Sequence, residues 1–273
     1  MIGQKKLLFK IDEMINNNNF PRFTIIHGNN NSGRKTISKY IATKLNARLI
    51  ISGIKVDDIR EIISLAYKQS EPTVYLLPGI DKMSIQAKNA LLKITEEPPK
   101  KSYFILTLMD INNLLPTLIS RASILAIDPY SKEDLLDYID YKKYQLTNEQ
   151  EAIILDICND PGEIDLLYSY NIIDFYNYIE IVIDNIATVT GPNAFKIGLK
   201  LKFKEEDEGW DITLFLKAVM NIYNKKIIIE PLVQYKDSII TTSKYLAETK
   251  INGINKSYII DMWILDIRQI WLN

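Results

Sequence analysis

Between residues 23 and 127 the chain sets down short apolar runs with almost no polar interruption, at 23–26, 49–51, 73–77, 103–108 and 123–127. A strand with one face in water alternates apolar and polar residues; a strand covered on both faces does not. These runs belong to the second kind. The stretches between them change period. Ile37, Ile41 and Leu45 recur every four positions, and Ile59, Ile62, Ile63 and Ala66 fall on one face of a helix that Asp57 and Asp58 open. Ser84 caps a further helix running to Glu97, which Pro98 and Pro99 end. Strands and helices in strict alternation predict a parallel sheet sandwiched between helices.

The pattern changes after Asp128 and Pro129. Ser131 and Asp134 have the spacing of a capped helix start, and helical periods then continue to the C-terminus without strand alternation. Breaks at Asp160-Pro161-Gly162 and at Gly191-Pro192 divide this remainder. The expected organisation is an α/β domain over 1–129, a small helical domain over 130–185 and a second helical domain over 186–273.

Composition narrows the function classes. With a formal net charge of −1, the chain lacks the basic excess of a protein that grips nucleic acid by bulk electrostatics, so any such contact is local or shared with partners. Cys158 is the single cysteine, which rules out an internal disulfide and a cysteine zinc cluster. One cysteine and one histidine, His27, supply no Ser/His/Asp or Cys/His constellation, and His27 reads as a packing residue. No apolar stretch approaches the roughly 18 residues of a membrane helix. The opening residues Ile2, Gly3, Gln4, Lys5 and Lys6 do not form a signal peptide, so the cytoplasm is expected. Abundant Asn, Ile, Lys and Tyr fit an A/T-rich coding bias, as in a phage or a low-GC bacterium.

Gly28 to Gly33 is a polar loop between a strand and a helix, the setting of a phosphate-binding loop. Glycines let backbone N–H groups close around phosphate oxygens, and the helix N-terminus adds a favourable dipole. The motif then asks for Lys and Ser/Thr. Here Arg34 stands at the lysine position and Lys35 at the hydroxyl position; shifting by one restores Lys35-Thr36 with one extra loop residue. Arg is a planar fork rather than a compact charge, and Lys cannot ligate magnesium as a Thr hydroxyl does. The candidate nucleotide contacts are therefore Gly28, Gly33, Arg34, Lys35 and Thr36, in a loop that either stays empty or keeps residual ATP or ADP binding without hydrolysis.

Further motifs follow in order. Ile2-Gly3-Gln4 opens the chain, and the strand at 73–77 ends in Pro78-Gly79. The next helix carries Asn89-Ala90-Leu91-Leu92-Lys93 and Glu96-Glu97-Pro98-Pro99, and Leu114 to Arg121 closes with Ser120-Arg121. Over residues 1–128 this series resembles the clamp-loader subunits of bacterial DNA polymerase III, within the AAA+ ATPases, and most closely the delta-prime branch. The resemblance implies an AAA+ nucleotide-binding-like domain, a helical lid over 130–185 and a helical collar for oligomerisation over 186–273. It also implies a lost catalytic site. The strand end that holds magnesium and activates water with acids in such ATPases has Pro78 and Gly79 here. Asp81 matches an acidic position that inactive members share. The sensor region near Leu108 and Met109 lacks a polar side chain, and Glu163 stands where the lid pattern has a basic residue.

Arg121 is the position that the family projects into a neighbour's ATP site as an arginine finger, with Ser120 beside it; Ala122 replaces the family's cysteine. The plainer alternative for Arg121 is a helix-end arginine bonded to the last carbonyls. The resemblance thus implies a non-hydrolysing, delta-prime-like subunit with no required cofactor and no metal. Its implied partners are gamma/tau-type ATPase subunits, a delta-type subunit, a sliding clamp and, through the assembly, primed DNA, with no membrane. Two rivals are an ATP-hydrolysing gamma/tau-type subunit using Lys35-Thr36 and a scaffold without catalytic contribution. Lys88, Lys93, Lys100 and Lys101 are expected to solvate a helix face rather than bind DNA, and the acidic residues 205–208 to form an exposed turn. Trp210, Trp263 and Trp271 are expected on helices as packing residues, and Tyr168, Tyr170, Phe175, Tyr176 and Tyr178 as lid packing.

Overall fold

The computed structural model describes residues 2–29, 31–188, 196–203, 208–251 and 253–272. The expected break at Gly191-Pro192 and the acidic residues 205–207 lie outside them. The chain divides into two compact units, Met1–Tyr138 with Asp160–Gly162, and Ile139–Asn159 with Glu163–Asn273.

The first unit is a parallel α/β sandwich. In chain order it runs α1 (Lys5–Asn16), β1 (Phe23–His27), α2 (Arg34–Lys44), β2 (Arg48–Ile51), α3 (Val56–Lys68), β3 (Thr73–Pro78), α4 (Ile85–Glu96), β4 (Ser102–Leu108), α5 (Pro116–Ile119) and β5 (Ser123–Ala126). The strand order is β2-β3-β4-β1-β5, with every pair parallel. The register sets Ile25 beside Leu106 and Ile124, and Tyr75 beside Phe104. Alternate residues of one strand feed opposite cores. Tyr75 and Leu77 join Ile59, Ile62, Leu91 and Ile94 on the α3–α4 side. Val74 and Leu76 join Leu7, Ile11, Ile37 and Ile41 on the α1–α2 side. That two-sided burial is why the runs show no polar alternation.

Local signals set the helix starts. Ser84 Oγ accepts from the Ala87 amide at the start of α4. Asp58 accepts from the Lys55 amide ahead of α3, and Ser131 and Asp134 bond reciprocally at the start of α6 (Lys132–Lys142). Each satisfies amides that the first helical turn leaves unpaired.

The second unit comprises α7 (Asn148–Ile157), most of α8 (Pro161–Tyr168), α9 (Ile172–Asp184), the short strands β6 (Leu201–Lys202) and β7 (Trp210–Asp211), α10 (Ile212–Ile229), α11 (Val233–Glu248) and α12 (Lys256–Leu272). The β6–β7 pair corrects the expectation of a strand-free C-terminal half. It also corrects the placement of Trp210, which lies in β7, its amide donating to the Lys200 carbonyl at 2.9 Å. The reason is the cap: Asp211 Oδ1 accepts from the amides of Thr213 and Leu214, so the helix begins only at Ile212. Trp263 is fully buried in α12, edge-on to Phe215, and donates through Nε1 to Thr242 Oγ1 at 3.0 Å. Trp271 donates to Ser238 Oγ at 3.1 Å. Tyr144 and Tyr168 stack, and Phe175 and Tyr178 meet Trp210 edge-on. No helix among the described residues is long and apolar enough to cross a membrane.

Candidate functional site

The carboxyl ends of β1, β3 and β4 gather the polar residues that the sequence singled out. The loop after β1 is held at both ends: the Gly28 amide donates to the Leu108 carbonyl at 3.3 Å, and Gly33 leads into α2 at φ 89°. A positive φ of that size is routine for glycine and strained for most other residues. Inside the loop, the Ser32 amide donates to the Asn29 carbonyl at 3.3 Å. Ser32 Oγ is buried without a hydrogen-bond partner among the described residues, and it lies 2.8 Å from where a Cβ on Gly28 would sit. Ser32 Oγ thus packs against Gly28.

Tyr130 covers this loop. Its hydroxyl donates to the Ser32 carbonyl at 3.0 Å and comes within 3.2 Å of a Cβ placed on Gly33, while its ring edge would meet a Cβ on Gly3 at 2.9 Å. Burial pushes the Tyr130 phenol above its ordinary pKa, with Asp160 and Asp134 adding to the shift. Gln4, itself buried, ties the opening segment to the exit of β5. Its Nε2 donates to the Asp128 carbonyl at 2.7 Å, and its Oε1 accepts from the Asp128 amide at 3.0 Å.

The two phosphate-loop registers separate cleanly. Arg34 is half-buried, whereas Lys35 and Thr36 are both exposed on the first turn of α2. Burial pulls the Arg34 pKa down, and the negative charge of Asp81 opposes that shift. Asp81 Oδ1 is buried and lacks a hydrogen-bond partner among the described residues. Asp81 sits in the turn after β3, whose last residue is Pro78; Gly79 follows at φ 70°, its amide bonded to the Thr107 carbonyl at 2.8 Å. A proline ring and a glycine leave no carboxylate at the strand end. No group of three or more His, Cys, Asp or Glu with metal-binding geometry occurs among the described residues. His27, the last residue of β1, is partly buried.

Arg121 lies apart from the loop, two residues past α5, and is exposed. Its Nη1 donates to the Thr117 carbonyl at 2.8 Å and its Nη2 to Glu96 Oε1 at 3.0 Å. Ser120 Oγ also donates to the Thr117 carbonyl, at 3.2 Å. The helix-end bond expected of an ordinary arginine is therefore made, yet the guanidinium stays at the surface. In the second unit, Glu163 accepts from the Asn159 amide at 2.8 Å and pairs with Lys217. The lysines near α4 are mostly exposed, and Lys101 reaches the Ser70 carbonyl at 2.6 Å. Sequence reasoning missed Tyr130 and gave Glu96 no role. No local pattern announces either, since their partners lie 98 and 25 positions away.

A family model described as "DNA polymerase III, delta subunit" matches residues 50–131. The chain is 24% identical over 257 residues to the DNA polymerase III subunit gamma of Buchnera aphidicola subsp. Schizaphis graminum, covering 81% of this chain and 71% of that protein. It is 41% identical over 73 residues to the subunit delta' of Yersinia pestis, but there it covers only 26% of this chain and 22% of the relative. Among solved structures, a gamma-subunit-related protein of Thermotoga maritima superposes with a TM-score of 0.59 at 17% identity, covering 96% of this chain and 99% of that one. At that identity the likeness concerns the fold.

Proposed function

We propose that this chain, a member of the DNA polymerase III clamp-loader family, is a non-hydrolysing, delta-prime-like subunit that lends Arg121 to the ATP site of a neighbouring subunit. The observation that carries the reading is the contrast at the strand ends: Pro78 and Gly79 where a magnesium-holding acid would stand, and an exposed arginine after α5. The donor set does not fit catalytic Mg²⁺–ATP. Pro78 and Gly79 offer no carboxylate at the strand end, and Arg34 and Lys35 stand where the loop motif asks for Lys and a hydroxyl. No step of hydrolysis is assigned to this chain, and nucleotide is not required for its role.

In this reading the neighbour supplies nucleotide, magnesium and the attacking water. Arg121 supplies positive charge where the transferring phosphoryl group gathers negative charge. The partners are gamma/tau-type ATPase subunits, a delta-type subunit, a sliding clamp and primed DNA held by the assembly, all in the cytoplasm. The helical C-terminal region, split into a lid over 130–185 and a collar over 186–273, serves assembly. The test is ATP turnover by a reconstituted assembly with Arg121→Ala in this chain alone. Turnover at the one site Arg121 reaches is expected to fall by about 10³-fold or more, read as a loss of that site's share of the assembly's rate; an unchanged rate would leave only a scaffold.

The match across 81% of the chain to a gamma subunit favours a second reading, an ATP-hydrolysing subunit. Turnover by the purified chain, abolished by Lys35→Ala, would establish it in place of the first.

A further inference from the structure

We propose that Glu96 is a clasp for Arg121. In the free chain its carboxylate holds the guanidinium against its own protomer, and the cation reaches a neighbour's phosphate only by leaving it. The clasp presupposes the arginine-finger reading above.

The pair is made by position. Glu96 is the last residue of α4, and Glu97 follows before the two prolines. Two carboxylates thus stand at the negative end of a helix dipole, where acids are disfavoured and cations are favoured. Lys93 lies in the same last turn, and Arg121 follows β4 and α5 in the chain. Its Nη2 meets Glu96 Oε1 at 3.0 Å while the Thr117 carbonyl fixes Nη1 at 2.8 Å. Two anchors on one planar fork set its direction.

The clasp is also weak enough to open. The side chains are 36% and 59% exposed, and an exposed pair biases its own two states by no more than about fivefold. A guanidinium paired with a carboxylate presents little net charge to a third group. The finger is therefore muted while Glu96 holds it. A phosphate chain carries more negative charge than one carboxylate and accepts two parallel N–H bonds, so it displaces Glu96. Release thus follows nucleotide occupancy next door.

Glu96→Gln removes the competing charge, and it takes an acid off the negative end of a helix, so the fold is not at risk. The assay titrates this chain into a gamma-type clamp-loader ATPase of the same organism, comparing wild type, Glu96→Gln, Arg121→Ala and the double variant. The expected result is half-maximal stimulation by Glu96→Gln at about 2- to 5-fold lower concentration than wild type, and none by either variant lacking Arg121. A Glu96→Gln curve that coincides with wild type, or that needs more chain, overturns the clasp while leaving the finger intact. An Arg121→Ala chain that stimulates like wild type overturns the finger, and the clasp's role with it. A second readout needs no partner. In the free chain, the ¹⁵N–¹H signals of the Arg121 guanidinium should show faster rotation in Glu96→Gln than in wild type, with the Thr117 carbonyl still holding Nη1; identical spectra overturn the clasp.

Discussion

Arg34 lies half-buried at the phosphate loop, where the charge of Asp81 favours its cationic form, whereas Arg121 is exposed and shares its guanidinium between a backbone carbonyl and Glu96. The surroundings differ in the same sense. Around Arg34 the loop is tied down: Ser32 Oγ packs against Gly28, Tyr130 bonds to the Ser32 carbonyl, and Gln4 pins the opening segment to Asp128. Around Arg121 the partners are water-exposed and few. A buried charge whose partner is removed costs several kcal/mol, while an exposed pair is worth about 1 kcal/mol or less. In the reading proposed, the first arginine is thus the structural one and the second the one that leaves its seat. A cation able to leave is one that a neighbouring subunit can use.

Four substitutions sharpen or break this contrast. Arg121→Ala comes first, with a loss of about 10³-fold or more in turnover at the neighbouring site it reaches and no measurable change in the melting of the free chain. Gly28→Ala comes next. Its Cβ would meet Ser32 Oγ at 2.8 Å and Ile127 Cβ at 3.0 Å, so overpacking should cost about 1–3 kcal/mol in denaturant unfolding. Gln4→Ala would unpair both the carbonyl and the amide of Asp128, for about 1–2 kcal/mol by the same measurement. Arg34→Met should cost less, about 1 kcal/mol or below, because it removes a partly exposed cation whose charge Asp81 supports; Arg34→Lys should recover part of it. A free chain that melts earlier with Arg121→Ala than with Arg34→Met would reverse the contrast.

Much of this architecture was legible in the residues. The five strands announced themselves because burial on both faces removes polar alternation, and α3, α4 and α6 because Asp58, Ser84 and the Ser131–Asp134 pair cap them. α1 gave no such sign: Gln4 precedes it in a left-handed conformation with no side-chain cap, and its first turn has no acid. Trp210 was misplaced because its apolar neighbours suit a helix, while Asp211 next to it is the cap that excludes it. At the site, glycine spacing and the Ser120-Arg121 motif marked the loop and the exposed cation. The tyrosine over the loop and the glutamate beside Arg121 were illegible, because each contact depends on how separate elements pack and not on spacing along one of them.

The central claim is that catalysis is missing in this chain and supplied to its neighbour. Two assemblies, differing from wild type only by Lys35→Ala or only by Arg121→Ala in this chain, put that claim to a single comparison of ATP turnover. The account predicts the full rate for the first and, for the second, loss of the neighbouring site's contribution, that site slowing about 10³-fold or more. A collapse with Lys35→Ala and an undiminished rate with Arg121→Ala would contradict it.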